Sequence, residues 1–355
     1  MTRRERNLGI ELLRIICMLT MVIQHILGHG WVIAMINPES WKFEFAVALR
    51  SACLFGISGF ALISGYVGVN SRFRYSSVVL QWTKVWLYSV VFMALDCVIR
   101  QTPFSIWEWK GMLLPTLHKL YWYFTAYVGC SMVAPLLRRA IRQLNFKQAT
   151  VCCMTLVCVF SVLTNVVEGD AFYTDAGKGT MWLVVLYILG AYLGWFRPHE
   201  KIPMAALWAL AVCSVLLLAG LQPVARRLGL AYFAGDPKNS SPHTLLAAVS
   251  MLMLFSRVQI TRFKKPIAIL GGASFSVYLL HEHPKIRLYT ISKYSYLLAE
   301  LNIPMMLAGT ILAAMVIYVA CTLVDLVRER IYRALRIRQR LDALETRLIG
   351  DLWAD

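Results

Sequence analysis

The chain has 355 residues, 59% of them hydrophobic and only 15% charged, with a mean hydropathy of +0.60. That balance excludes an ordinary soluble domain and leaves an integral membrane protein with room for about ten spanning helices. The net charge of +17 would suggest nucleic acid in a soluble protein, but here the basic residues cluster in short stretches between apolar runs, so no nucleic-acid partner is expected.

The first apolar run, Glu11 to His29, is long enough to span a membrane yet contains Glu11, Arg14, Gln24 and His25. Ionisable groups are costly in hydrocarbon, so such residues mark a site unless they pair. Arg14 and His25 are eleven positions apart; at ~100° per residue they share a helix face and stand roughly 16 Å apart along it. Glu11 and Gly28 fall near that face, and the stretch reads as one wall of a polar channel. The basic MTRRERN ahead of it resembles the start of a signal peptide. The apolar run is too long for one and no small-residue cleavage site follows, so it is kept as a first span with Arg3, Arg4 and Arg6 on the cytoplasmic side.

An outer loop with Trp31 and Trp41 at the interface (31–45) leads to a second span at about 46–69. This span holds Arg50 and the small-residue run GISGFALISGY. Close helix packing explains that run, with Ser58 or Ser64 lining the channel as the alternative. The basic turn NSRFRY precedes span three (77–99), which carries Gln81, Lys84 and, toward its outer end, Asp96. Lys84 can snorkel to the inner interface. Span four (120–137) opens with YWYF, which reads as an interfacial belt.

Spans five to ten fall at about 148–167, 180–196, 203–220, 243–256, 266–282 and 303–325. The nine cysteines lie in or near these apolar runs without metal-type spacing, so they read as small apolar fillers and no metal is expected. From Val327 the chain is basic and helical in period. It divides into a membrane domain (1–326) and a cytoplasmic amphipathic tail (327–355), expected to lie on the anionic inner leaflet, with a partner helix as the alternative.

Of the 36 basic residues, Arg14, Arg50 and Lys84 fall within spans, and the other 33 divide into 22 on inner and 11 on outer segments. That bias places both termini in the cytoplasm. The fold class is therefore an all-α integral membrane bundle of about ten helices. In this register His25, Asp96, His118, His281, Glu282 and His283 lie high, toward the outer face, while Arg14 and Lys84 lie low. Asp96 could orient an imidazole or pair with Arg50 or Arg100. His29, one turn above His25, could stand at the channel mouth; His118 reads as interfacial and His199 as a turn residue without chemistry.

Together these segments resemble the acyltransferase 3 family of membrane-bound enzymes, whose members acylate surface glycans. The resemblance rests on Arg14 and His25 in ELLRIICMLTMVIQH, on FGISGFALISGY with Ser64, Gly65 and Tyr66, on the aromatic YWYFTAYVGCSMVAPLL, and on SFSVYLLHEHPKIR with Tyr278 to His281. It covers nearly the whole chain in order. One departure stands at the start of span three, where the family often has an Arg-x-x-Arg pair and this chain has Gln81 and Lys84.

The resemblance implies an acyl-CoA donor, usually acetyl-CoA, approached from the cytoplasm. It also implies a hydroxyl acceptor on a surface polysaccharide or lipid-linked glycan, in a bacterial-type inner membrane. Arg14 and Lys84 would then meet donor phosphates. His25 would be the general base, with His281 and Glu282 beside it, since a neutral imidazole can take a hydroxyl proton and return it to the thiolate. A covalent acyl-imidazole is a variant of this chemistry. A transporter or flippase of lipid-linked saccharides is the alternative from another class, and purely structural pairing of Arg14 with Glu11 is the alternative for that residue.

Overall fold

The computed structural model describes residues 7–101, 105–166, 170, 172–235 and 237–350. Arg3, Arg4 and Arg6, used above in the charge register, lie outside the described residues. No strand forms among the described residues. The principal helices are α1 (Leu8–Gly28), α2 (Trp41–Ala52), α3 (Phe55–Gly68), α4 (Tyr75–Arg100), α5 (Ile106–Leu113) and α6 (Trp122–Gln143). They continue as α7 (Phe146–Val157), α8 (Thr180–Phe196), α9 (Met204–Arg227), α10 (Pro242–Arg257), α11 (Lys264–His281), α12 (Ile303–Ala334) and α13 (Ile337–Ile349).

Among the described residues, six helical segments are long and apolar enough to cross a membrane: Leu8–Met35, Trp41–Gly68, Tyr75–Arg100, Phe146–Val166, Met204–Arg227 and Ile303–Ala334. The other four expected spans correspond to α6, α8, α10 and α11, which are shorter or carry charges, such as Arg138, Arg139 and Arg142 on α6. Large apolar side chains point outward on the peripheral helices, among them Leu95 and Val98 on α4, Val212 and Leu216 on α9, and Val316 and Val319 on α12. An outward apolar belt of this extent suits lipid rather than water.

α1 is the central element, in contact with α2, α3, α10, α11 and α12. Asn7 caps its start by accepting from the Gly9 and Ile10 amides and ties that end to Ser256 O. The span expected at 46–69 falls within the segment Trp41–Gly68, which is built of two helices. α2 serves α9, through Ser51 to Gln222 and Glu44 to Arg226, whereas α3 packs on α8 and α1. Different partners require different directions, and the chain turns at Cys53 and Leu54.

The small-residue run in α3 is a packing device. A Cβ at Gly65 would overlap the Tyr187 carbonyl, and one at Gly190 would overlap that of Leu62, so the two backbones cross in contact. Gly56 and Gly59 admit Cys17 of α1 in the same way. Gly65→Val should therefore cost about 1–3 kcal/mol or more by overpacking. The measurement is the monodisperse fraction in detergent and its melting temperature; a variant that matches the parent in both would refute the close-contact argument.

α12 passes Val327 without interruption and continues to Ala334. The chain reverses at Arg336, which takes a left-handed conformation (φ 52°), and α13 folds back. It does not simply lie on a leaflet: Glu345 accepts hydrogen bonds from the Tyr75 and Ser76 amides at 2.8 and 3.2 Å, and Ser76 Oγ donates to Asp342 at 2.6 Å. The first turn of α4 has free amides and no side-chain cap of its own, and the tail's carboxylates supply one.

Candidate functional site

His25 lies in the last turn of α1 and His281 is the last residue of α11, so the packing of these two helices brings the imidazoles together. His25 Nδ1 is 2.9 Å from His281 Nε2 and 3.0 Å from Glu282 Oε2. Arg287 donates to the other oxygen, Glu282 Oε1, at 2.6 Å. His29 stacks on His25 with ring centroids 4.8 Å apart and brings its Nδ1 to 3.5 Å from Glu282 Oε2. The His29 side chain is 45% exposed, whereas that of His25 is only 12% exposed.

The partners assign the ring protons. His281 Nδ1 is 2.6 Å from the Val277 carbonyl, and a carbonyl can only accept, so that nitrogen carries the hydrogen. In neutral His281, Nε2 is then an acceptor, and His25 Nδ1 must be the donor. Its proton is aligned on His281, while Glu282 Oε2 sits beside it at ion-pair distance without an aligned partner of its own. The lone pair of a neutral His25 therefore resides on Nε2. His25, His281 and Glu282 could also offer ligand atoms to a cation, all within 4.8 Å of one another. The 2.9 Å separation of His25 Nδ1 from His281 Nε2 is that of a hydrogen bond between the two rings themselves.

Asp96 belongs to a neighbouring cluster. It meets Arg100 at 2.8 Å, Lys285 at 2.9 Å and the Tyr289 hydroxyl at 3.0 Å, and Glu108 joins Arg100 and Lys285. Of the two readings offered for it, pairing with Arg100 holds, and it touches no imidazole. The cluster straps the segment after Glu282 across the end of α4. His283 is fully buried against Phe92 and Tyr121, with Nε2 unpartnered. His118 is exposed. His199 is buried at 1% exposure and its Nε2 meets Ser256 Oγ at 2.9 Å, tying the turn before α9 to α10.

The YWYF run is not an interfacial belt. Tyr121, Tyr123 and Phe124 are buried, and Tyr121 and Tyr123 pack edge-on against Tyr278 of α11, whose ring faces His281. The Tyr121 and Tyr278 hydroxyls have no partner among the described residues. Sequence reasoning named Tyr278 only as part of a motif and missed Tyr121 and Arg287. The signal available was the abundance of hydroxyl-bearing rings in two segments that must pack, and a cation five residues after Glu282.

At the other end, Arg14 Nη1 is 3.0 Å from Glu11 Oε1. The arginine is therefore paired, one turn from its partner, and is not the isolated intramembrane charge its position suggests. It still lines a chamber of about 180 Å³ with Phe60, Ser64, Gln81, Tyr123 and Gly272. A second chamber of about 190 Å³ holds Arg72 and Arg74 and shares Ser64, Gln81 and Tyr127 with the first. Lys84 lines a third and larger cavity of about 790 Å³, which shares Gln81 and Gly272 with the Arg14 chamber. Arg14 and Lys84 thus face adjoining spaces rather than one, and Gln81 stands on the wall of all three, its Oε1 buried and without a hydrogen-bond partner among the described residues. Ser58 does not line these spaces; it is fully buried, its hydroxyl directed at Asn239 O.

A family model described as an acyltransferase domain matches residues 7–325. No curated relative and no solved structure gives a significant match.

Proposed function

The chain belongs to the acyltransferase 3 family, a family of membrane proteins, and from that premise we propose that it moves an acyl group, acetyl in the first instance, from acyl-CoA to a glycan hydroxyl. The acceptor is a cell-surface polysaccharide or a lipid-linked glycan. The protein would sit in a bacterial-type cytoplasmic membrane with ten spans and both termini inside, so that donor and acceptor arrive from opposite faces. Transport of the saccharide is not favoured by membership of an acyltransferase family.

The observation that carries this reading is the hold on His25 Nδ1 by His281 and Glu282, which leaves Nε2 as the basic nitrogen. In the proposed reaction the acceptor oxygen attacks the thioester carbonyl as its proton passes to His25 Nε2. The carbon–sulfur bond then breaks and the same proton goes to the departing thiolate, giving an ester and free CoA thiol. Glu282 stabilises the imidazolium formed in between, and Arg287 fixes the carboxylate. Tyr278, whose ring packs against His281 with centroids 6.4 Å apart, would supply a hydroxyl donor for the oxyanion.

Membranes containing the protein should transfer radiolabel from acetyl-CoA to a glycan fraction. Arg14→Ala should raise the donor concentration needed for half-maximal labelling by about tenfold, the loss of one charge-assisted contact. Absence of any label transfer would refute the acetyl-transfer reading, and unaltered donor dependence in the variant would remove Arg14 from the donor path.

A further inference from the structure

The largest of the three cavities at the Arg14 end is lined on one side by residues beyond the family match. Lys84, Gln81 and Gly272 form one side, and Arg328, Tyr332, Arg333 and Arg338 form the other, whereas the matched residues end at 325. Its charges are not equivalent. Asp325 is taken by Arg328 and the Tyr88 hydroxyl, and Glu329 by Arg328 and Arg333. Lys84 and Arg338 make no ion pair with a carboxylate among the described residues. The cavity therefore carries two uncompensated cations, one on each side, and an aromatic wall at Tyr332, the ring under the Arg328 guanidinium at 4.9 Å.

Arg338 reaches this cavity only because the chain reverses at Arg336 and α13 is clasped to the start of α4. Glu345 caps the Tyr75 and Ser76 amides, and Asp342 holds Ser76 and, at 3.5 Å, Arg74. Arg338 and Gln339, which line the cavity, and Asp342 and Glu345, which hold the start of α4, thus act as one device on α13. A volume of about 790 Å³ lies in the range of small-molecule sites. Two opposed cations beside an aromatic ring suit a phosphorylated nucleoside, whose phosphates take the charges and whose base takes the ring.

We propose that the C-terminal segment Arg328–Ile349 is a working part of the donor site, closing with Lys84 a pocket for the phosphate-bearing nucleotide end of the donor. This rests on the acyl-CoA reading above. An anionic lipid headgroup offers the same phosphate chemistry, but the walls shared through Gln81 and Gly272 set this cavity directly beside the Arg14 chamber. The nucleotide end of a donor whose acyl arm must enter the bundle makes use of that adjacency, and a headgroup does not.

The test uses the full chain in nanodiscs of zwitterionic lipid, titrated calorimetrically with adenosine 3′,5′-bisphosphate. Arg338→Glu should weaken binding about tenfold or more, and Glu345→Ala, which releases the clasp, should weaken it several-fold. Arg340→Glu, the same charge change on α13 outside the cavity wall, should leave binding unchanged. Nucleotide binding by the parent chain that is insensitive to Arg338→Glu would overturn the inference while leaving acyl transfer from acyl-CoA intact. If Arg338→Glu instead abolishes only a preference for phosphatidylglycerol nanodiscs, the pocket belongs to lipid and the nucleotide assignment is wrong. Failure of acetyl label transfer by the parent chain is a separate result and bears on the donor reading itself.

Discussion

His25→Ala is expected to lower acyl transfer by about 10²–10⁴-fold, the range contributed by a positioned general base, with the protein still folded and still able to bind donor. The geometry explains why the loss should be confined to chemistry. Glu282 retains Arg287 at 2.6 Å and His29 at 3.5 Å, and His281 retains the Val277 carbonyl, so no buried charge is stranded when the His25 ring is removed. The helix itself is held elsewhere, by the Asn7 cap and by contacts of α1 with α3 and α11. Single-turnover labelling with saturating acetyl-CoA separates the chemical step from donor affinity. Near-normal turnover in the alanine variant would remove His25 from the reaction, and a collapse in detergent monodispersity would show that its part is structural.

The membrane class and the polar residues of the two ends were legible because apolar runs and intramembrane charges are local signals. The Arg14–His25 spacing foretold a shared helix face. The partners were not legible, because they depend on which helices pack together. Glu11 lies three residues before Arg14, and its pairing was visible as an alternative, yet only the fold decides it. The aromatic YWYF was misread as a belt for the same reason: tyrosine serves an interface and a core equally well, and the packing of α6 and α11 puts Tyr121 and Tyr123 inside. The break between α2 and α3 has no proline to mark it, and Arg50 in the last turn of α2 did not read as a stop; the two helices have different tertiary partners. The tail's periodicity was plain, but its reversal at Arg336 rests on a left-handed arginine that no sequence rule favours.

Glu282→Gln is the second change with a large expected effect, and it isolates charge and tautomer from shape. Oε2 of Glu282 lies at 3.0 Å from His25 Nδ1 and can only accept, which helps hold the His25 proton on that nitrogen. An amide offers a donor at the same place. With its NH₂ turned to Nδ1 it would favour the opposite tautomer, move the proton to Nε2 and occupy the nitrogen that must act as base; it would also remove the negative charge that balances the imidazolium. Loss of roughly 10²–10⁴-fold in turnover is expected, with the half-saturating donor concentration little changed, because the carboxylate touches neither Arg14 nor Lys84. Arg287→Ala should be milder than Glu282→Gln, since Arg287 holds the far oxygen, Oε1, and acts only through the carboxylate. A Gln variant that turns over like the parent, or a ranking in which Arg287→Ala is the more severe, would show that His25 is oriented by His281 alone.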